Sequence, residues 1–262
     1  MFTALPFRPV SNFLSQRFIV GVTLLRFDQL DSTSLHARRL LESGKLVRES
    51  HLLLATRQTG GIGRHGRPWS SPPGGLWITL LWPLESGELP ATVSLQIGLA
   101  VRRVLGRALG PGYDAECKWP NDVLCGGKKL AGMLLETVAS ETGRWLLVGI
   151  GCNINNYVAT LASELHATAT SVVSLTGETL ELEIFRKRLV ATVLGVLHKP
   201  VDDATAIAEF TSHMWGIGRT VEATLPDGTR QLAVLRGVDA QGQLLLETGG
   251  VTSSIASISG YA

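Results

Sequence analysis

Two short segments concentrate side chains suited to an anionic ligand. The first runs from Thr59 to Pro72 and reads TGGIGRHGRPWSSP, with guanidinium groups at Arg64 and Arg67 in a stretch broken by glycine and proline. The second reads Lys118-Trp119-Pro120-Asn121-Asp122 and continues, past the Gly126-Gly127 turn, into Lys129-Leu130-Ala131-Gly132. Charges that interrupt apolar strands are costly if buried without partners and natural if they face an ion of opposite sign. Taken alone, this segment is equally well explained as a β-hairpin with solvated lysines. A third segment, Gly149-Ile150-Gly151-Cys152-Asn153, is a glycine-broken strand, which marks either close approach of a ligand or a plain strand-end turn. Asn153 carries a donor beside an acceptor, the pair that an adenine edge requires.

Two familiar phosphate-binding motifs fail on the first segment. Gly61 to Gly66 fits G-x-G-x-x-G, but the dinucleotide mechanism needs a helix to open at once, and Arg67-Pro68-Trp69-Ser70-Ser71-Pro72-Pro73 cannot continue as one. A P-loop needs Lys and Ser or Thr directly after the last glycine, where Arg67-Pro68 stands. An exposed glycine loop without a ligand stays open on this segment by itself.

The elements that must position these residues alternate irregularly. Strand-like runs cover His51 to Thr56, Leu76 to Trp82, Ala115 to Trp119, Lys129 to Val138 and Arg144 to Ile150, with Phe18 to Leu25 as an entering strand. Ser94 to Leu109 places Ile97, Val101, Leu105 and Ala108 on one helical face, and Leu35 to Leu41, Leu182 to Leu197 and Asp203 to Met214 read as further helices. This predicts an α+β fold, a mixed and mostly antiparallel sheet packed against helices, rather than a strict βαβ series. After Trp215 the texture changes to short β-prone runs separated by Pro226-Asp227-Gly228, Ala240-Gln241-Gly242 and Gly249-Gly250, which predicts a small β-barrel. The expected division is an N-terminal extension over 1–25, a main domain over 26–214 and the small β domain over 215–262, docked on the main domain because so small a unit is marginal alone.

Composition narrows the function. The net charge is +2, from 24 basic and 22 acidic residues, so a cationic site must be local and neither nucleic acid nor a membrane surface is an expected partner. Cys117, Cys125 and Cys152 have no metal-ligand spacing, and an odd number of cysteines this small suits a reducing compartment, with core thiols and no protein-held metal. No apolar run approaches the roughly 18 residues of a spanning helix, and no secretory signal is expected. Arg8, Arg17 and Arg26, with no acidic residue before Asp28, leave an organellar targeting extension as an alternative for the N-terminus.

Taken together, the ordered motifs resemble the biotin-protein ligase family. They are Asp31-Ser32-Thr33, Gln58 with the loop ending Gly66-Arg67-Pro68-Trp69-Ser70-Ser71-Pro72, Lys118-Trp119-Pro120-Asn121-Asp122, Lys129-Leu130-Ala131-Gly132 and Gly149-Ile150-Gly151-Cys152-Asn153. The resemblance implies a class II synthetase-like catalytic domain with a C-terminal SH3-like β domain. It implies an ATP- and Mg²⁺-dependent enzyme that makes biotinyl-5'-AMP with release of pyrophosphate, then biotinylates a lysine of the biotin carboxyl carrier protein of acetyl-CoA carboxylase. A cytoplasmic location and a monomer or homodimer follow from the same likeness.

By resemblance, Ser32, Thr33 and Gln58 bind the ureido end of biotin, with Gly61, Gly132 and Gly149 close by. Arg64 and Lys129 reach its carboxylate; Arg67, Trp69, Lys118, Asn121 and Asn153 bind the nucleotide. Arg64, Arg67, Lys118 and Lys129 supply positive charge where two anions must meet, and Asp122 orients the attacking lysine or takes its proton, or else only braces Lys118. Only about 25 residues precede the core, too few for the DNA-binding domain some members carry, so no repressor role is expected. The chain departs from the family at Ile62, where an arginine is usual, and His65 when protonated is one partial substitute. Lipoate-protein ligase, or a biotin-binding relative without catalysis, are the alternatives.

Overall fold

The computed structural model describes residues 16–19, 21–85, 89–161, 163–225, 227–258 and 260–261. Most of the segment expected as an N-terminal extension, with Arg8, lies outside the described residues, as does Pro226 of the first C-terminal turn. Strand β1 (Gln16–Ile19) folds back on β2 (Val22–Leu30), and Val22, Leu24 and Leu25 are buried. The entering strand expected over 18–25 is therefore a hairpin interrupted at Gly21, whose φ of 90° is a conformation that glycine adopts without strain.

From β2 the chain runs through helix α1 (Thr33–Glu42) into β3 (Ser50–Gln58), crosses the glycine loop and returns as β4 (Leu76–Pro83). Helix α2 (Val93–Leu109), the hairpin of β5 (Ala115–Lys118) and β6 (Asp122–Cys125), and the pair β7 (Lys128–Ser140) and β8 (Gly143–Cys152) follow. These strands form one eight-stranded sheet in the order β1-β2-β3-β4-β8-β7-β6-β5. Among the described strands of this sheet only β2 and β3, which α1 joins, run parallel, so the expected mostly antiparallel α+β arrangement is the one observed. Sequence pattern does not resolve β6, because four residues beside a turn are too few to display alternation.

Both faces of the sheet are covered, which explains why its central strands read as continuous apolar runs. On one face Leu24, Leu52, Leu80 and Val148 align across four strands and pack with α2 and α4 (Leu182–His198). On the other, Leu25, Leu53, Leu81 and Leu147 pack beneath Ala37 and Leu41 of α1. Each fully buried leucine contributes about 2 kcal/mol. Cys117, Cys125 and Cys152 are buried free thiols, as expected of core cysteines. Among the described residues no helix is long and apolar enough to cross a membrane.

After the short α3 (Val172–Thr176) and α4, helix α5 (Asp203–Ser212) leads into β9 (Thr220–Thr224), β10 (Arg230–Val238), β11 (Leu244–Thr248), β12 (Val251–Ile255) and β13 (Gly260–Tyr261). They form the expected small antiparallel sheet, in the order β12-β11-β10-β9-β13, and no β12–β13 pairing that would close a barrel is seen among the described residues. Its inner face shares a core with the main sheet, where Val221, Leu235 and Leu244 meet Leu99, Cys117, Trp119 and Phe210. The outer edge of β5 is also covered, since Cys117 exchanges backbone hydrogen bonds with His213 and Trp215 at 2.8 Å each. Trp119, 4% exposed, donates its indole N–H to the Gly242 carbonyl at 2.9 Å. Trp119→Phe leaves that carbonyl unpaired and a void beside it, and should lower the unfolding free energy in urea by about 1–3 kcal/mol; an unchanged midpoint would show that the interface does not depend on this contact.

Candidate active site

The glycine loop is a narrow ribbon held by backbone bonds. Gln58 N–H donates to Ser71 O at 3.0 Å, Trp69 N–H to Gly61 O at 2.8 Å and Gly63 N–H to Arg67 O at 2.8 Å, with bridges at Gln58–Ser71 and Ile62–Pro68. Its tip is a single 3-10 turn, Arg64–Gly66, where exposed His65 has φ 57°, so no helix follows and the dinucleotide reading is excluded in structure as in sequence. The ribbon is rooted on Asp31, whose carbonyl accepts from Gly60 N–H at 2.8 Å. The Asp31 carboxylate takes two bonds from Arg39, at 2.7 and 2.8 Å, and one from Ser32 N–H. The Arg39 guanidinium holds that carboxyl below the usual aspartate range.

Beneath the ribbon lies a cavity of about 180 Å³ with two chemically different ends. At one end Ser32, at the N-cap of α1, and Thr33 and Ser34, on its first turn, meet Gln58 from the end of β3. Ser32 caps the helix, its hydroxyl accepting from Leu35 N–H. At the other end Arg64 and Arg67 face Asn121, Asp122 and Lys129. Lys129 Nζ lies 2.8 Å from Asp122 Oδ2, while Asp122 Oδ1 is buried without a hydrogen-bond partner among the described residues. Burial, then the neighbouring Arg67, push the Arg64 pKa down, with Asp122 acting in the opposite sense. Three cations thus share one carboxylate, a surplus that suits a ligand with at least two negative charges.

A β-bulge makes the Lys129–Asp122 pair possible. Val123 faces Ala131, but Leu124 faces Lys129, so Leu130 is an extra residue in β7. Leu130 and Ala131, though consecutive, both enter the core on the α2 side, and Lys129 is turned onto the face of Asp122.

Between the two ends the indole of Trp69 lies on a glycine floor. A Cβ on Gly151 would stand 2.6 Å from Trp69 Nε1, and one on Gly132 would stand 2.9 Å from Trp69 Cζ3. Neither space admits a side chain. Lys129 Nζ sits 4.8 Å from the centre of the same ring, and Trp77 meets it edge-on at 6.5 Å.

Eleven of the residues singled out in sequence line this cavity: Ser32, Thr33, Gln58, Arg64, Arg67, Trp69, Asn121, Asp122, Lys129, Gly132 and Gly149. Gly61, Lys118 and Asn153 do not. Gly61 is buried at the root of the ribbon, where a Cβ would lie 2.5 Å from Trp69 O. Lys118 points to the C-terminal sheet, donating to Tyr261 O at 2.7 Å with its Nζ 4.8 Å from both the Trp215 and Tyr261 rings, and burial lowers its pKa. Asn153 is buried, its Oδ1 accepting from Asn156 Nδ2 at 3.0 Å. Sequence reasoning missed Ser34, although it is the third hydroxyl of a consecutive run, and Met133 and Leu134, whose apolar strand positions carry no functional signal. Ile62 lines the cavity and leaves an apolar wall there.

Comparison with known proteins agrees with this geometry. Residues 28–155 match the model of the biotin/lipoate A/B protein ligase family. The bifunctional ligase/repressor BirA of Bacillus subtilis is 34% identical over 239 residues, covering 88% of this chain and 71% of that protein. The biotin–[acetyl-CoA-carboxylase] ligase of Paracoccus denitrificans is 40% identical over 151 residues, 57% of this chain and 61% of its own. Among solved structures, the Aquifex aeolicus biotin protein ligase in complex with biotin and ATP superposes with a TM-score of 0.72 at 27% identity, covering 91% of this chain and 97% of that one.

The glycine floor yields a direct test. Gly151→Ala should unseat Trp69, exposing its indole to acrylamide quenching while the chain stays folded. The change should vanish in a Trp69→Phe background; identical quenching with and without the added methyl would mean that the ring does not rest on Gly151.

Proposed function

The chain belongs to the biotin-protein ligase family, and we infer that its cavity joins biotin to ATP as biotinyl-5'-AMP, releasing pyrophosphate, and passes biotin to a lysine of a biotin carboxyl carrier protein. The observation that carries this reading is the polarity of the cavity, with directional hydrogen-bonding groups at one end and surplus positive charge at the other. Biotin has the matching form, a ureido head joined through an apolar chain to a carboxylate. Lipoate offers only an apolar dithiolane to the Ser32, Thr33, Ser34 and Gln58 end, which would leave those groups unpaired.

In the first step a biotin carboxylate oxygen attacks the α-phosphorus, and the bond to the bridging oxygen of pyrophosphate breaks. Two anions must approach, and a unit-charge pair at 4 Å is worth about 4 kcal/mol at an effective dielectric near 20. Arg64, Arg67 and Lys129 turn that repulsion into stabilisation of the charge developing on the phosphate. Among the described residues that line the cavity Asp122 is the single carboxylate, which suits a Mg²⁺ carried by the phosphates rather than held in a protein cage. When bound, that ion neutralises phosphate charge. Asn121, at the cationic end, and Trp69, beside it over the glycine floor, face the nucleotide, and Trp69 covers it as the loop closes, keeping water from the mixed anhydride. Asn153 serves from behind, its backbone N–H bonded to Leu130 O at 2.9 Å, and Lys118 takes part only once released from Tyr261.

In the second step the carrier lysine attacks the carbonyl carbon and AMP leaves with the anhydride oxygen. The amine must first lose a proton that it holds up to a pKa near 10.4 in water. Asp122 Oδ1, buried and without a partner, is the acceptor best disposed to orient that amine, while Lys129 holds Oδ2. The carrier is the acetyl-CoA carboxylase subunit, in keeping with the Paracoccus relative's name.

The decisive experiment mixes protein, biotin, MgATP and a biotin carboxyl carrier domain and weighs the product; an unmodified carrier would sink this function. Asp122→Asn should leave biotin-dependent pyrophosphate release within a few fold of wild type and slow transfer by about 100-fold or more, whereas equal losses in both steps would assign Asp122 to adenylation. Ile62→Arg restores a guanidinium to the carboxylate wall, and should tighten biotin binding and lengthen adenylate lifetime by roughly tenfold; no change in either would show that position 62 does not meet the ligand's charge.

A further inference from the structure

Thr79 is the polar residue in the otherwise apolar run of β4 from Leu76 to Trp82, and it is fully buried beneath α1 without lining the cavity. Its hydroxyl lies 2.8 Å from Thr33 Oγ1 and 3.1 Å from Ser34 Oγ. Gly149 faces it across β4 and β8, and a Cβ there would stand 2.8 Å from Ser34 Oγ, so glycine lets the serine hydroxyl settle onto the sheet.

The protons of this cluster can be assigned by elimination. Thr33 N–H can only donate, and it meets Gln58 at 2.7 Å, so that atom is the amide oxygen Oε1. Thr33 Oγ1 lies 3.1 Å from the same oxygen and spends its single proton there. Thr79 must then donate to Thr33, and Ser34 must donate to Thr79. Beyond Gln58, its Nε2 donates to Ser71 Oγ at 2.7 Å and Ser71 donates to Trp69 O at 3.3 Å. The bonds run one way, from Ser34 through Thr79, Thr33, Gln58 and Ser71 to the carbonyl of Trp69.

We propose that Thr79 is a positioning residue that fixes this direction, so that Ser34 presents to the cavity an oxygen whose proton is already committed, an acceptor for a ureido N–H. The assignment rests on the biotin reading of the cavity and adds the residue that sets its donor and acceptor pattern. Without Thr79 the Ser34 hydroxyl is free to rotate and offer its proton instead, and Thr33 loses the donor that orients it.

Calorimetric titration separates this role from simple packing, using biotin and two analogues methylated at one or the other ureido nitrogen. Thr79→Val, nearly the same in shape, should weaken biotin binding roughly tenfold, equivalent to about 1.4 kcal/mol, and narrow the preference for biotin over the methylated analogue that blocks the Ser34 contact. Thr79→Ser should restore affinity and preference within about twofold even if its melting temperature falls, because the hydroxyl network is kept while a packed methyl is lost. Thr79→Ala carries the same expectation as valine and keeps the test intact should the valine variant not fold. The proposal is overturned if valine and alanine lower only the melting temperature and leave affinity and preference as in wild type. Wild-type protein that binds no biotin overturns the functional reading itself, a result distinct from a wild type that binds and variants that bind alike.

Discussion

Everything at the cationic end of the cavity depends on holding Arg64, Arg67 and Lys129 together against one carboxylate. Side chains alone do not achieve this, since like charges separate when they are free to. The loop that carries the arginines is therefore fixed by backbone bonds indifferent to charge, between Gln58 and Ser71, Gly61 and Trp69, and Gly63 and Arg67, and is rooted on the Asp31 carbonyl. Lys129 is fixed differently, by the bulge at Leu130 that turns it toward Asp122. The Asp122–Lys129 pair is partly exposed, so its Coulombic contribution to stability is small. Its value is positional, because it keeps one carboxylate oxygen occupied and leaves the other open.

Much of this was legible in the sequence. The central strands announce themselves because both faces are buried, so Leu52, Leu53 and Leu54 follow one another without a polar break. Helix α2 is legible because one of its faces is solvated, leaving Arg103 and Arg107 outside and Ile97, Val101 and Leu105 within. At the site, glycines at 132, 149 and 151 in strand contexts are a signal with one physical cause, the absence of room for a Cβ against Trp69 and Ser34.

What the sequence concealed has equally definite causes. The strand alternation that would place Lys129 on the core side is broken by a bulge whose only trace is two adjacent apolar residues, Leu130 and Ala131. Lys118 and Asp122 look equivalent in a motif, yet they pair with each other at the mouth of the β5–β6 hairpin and their side chains end in different places, Asp122 in the cavity and Lys118 between two aromatic rings of the C-terminal region. That destination depends on Trp215 and Tyr261, far away in the chain, and no local pattern encodes it. Asn153 likewise has the chemistry of a base-reading amide, but the neighbouring Asn156 engages its oxygen first.

The two ends of the cavity solve opposite problems. The hydrogen-bonding end lies at the N-terminus of α1 and the adjoining strands, where hydrogen bonds are directional and the Thr33 and Thr79 hydroxyl protons are committed. The charged end is carried partly on a loop, where attraction is long-ranged and tolerant of small displacements. Such a division suits a reaction in two stages, since the biotin ring must stay fixed while the groups at its carboxylate change from triphosphate to adenylate to an incoming amine. The ends are nevertheless not independent. The hydrogen-bond chain that orders the hydroxyl groups at the first end passes through Gln58 and Ser71, the residues that close the ribbon, and terminates on the carbonyl of the tryptophan lying over the glycine floor. Ordering one end therefore stabilises the loop conformation at the other, because the same run of bonds reaches the carbonyl of Trp69.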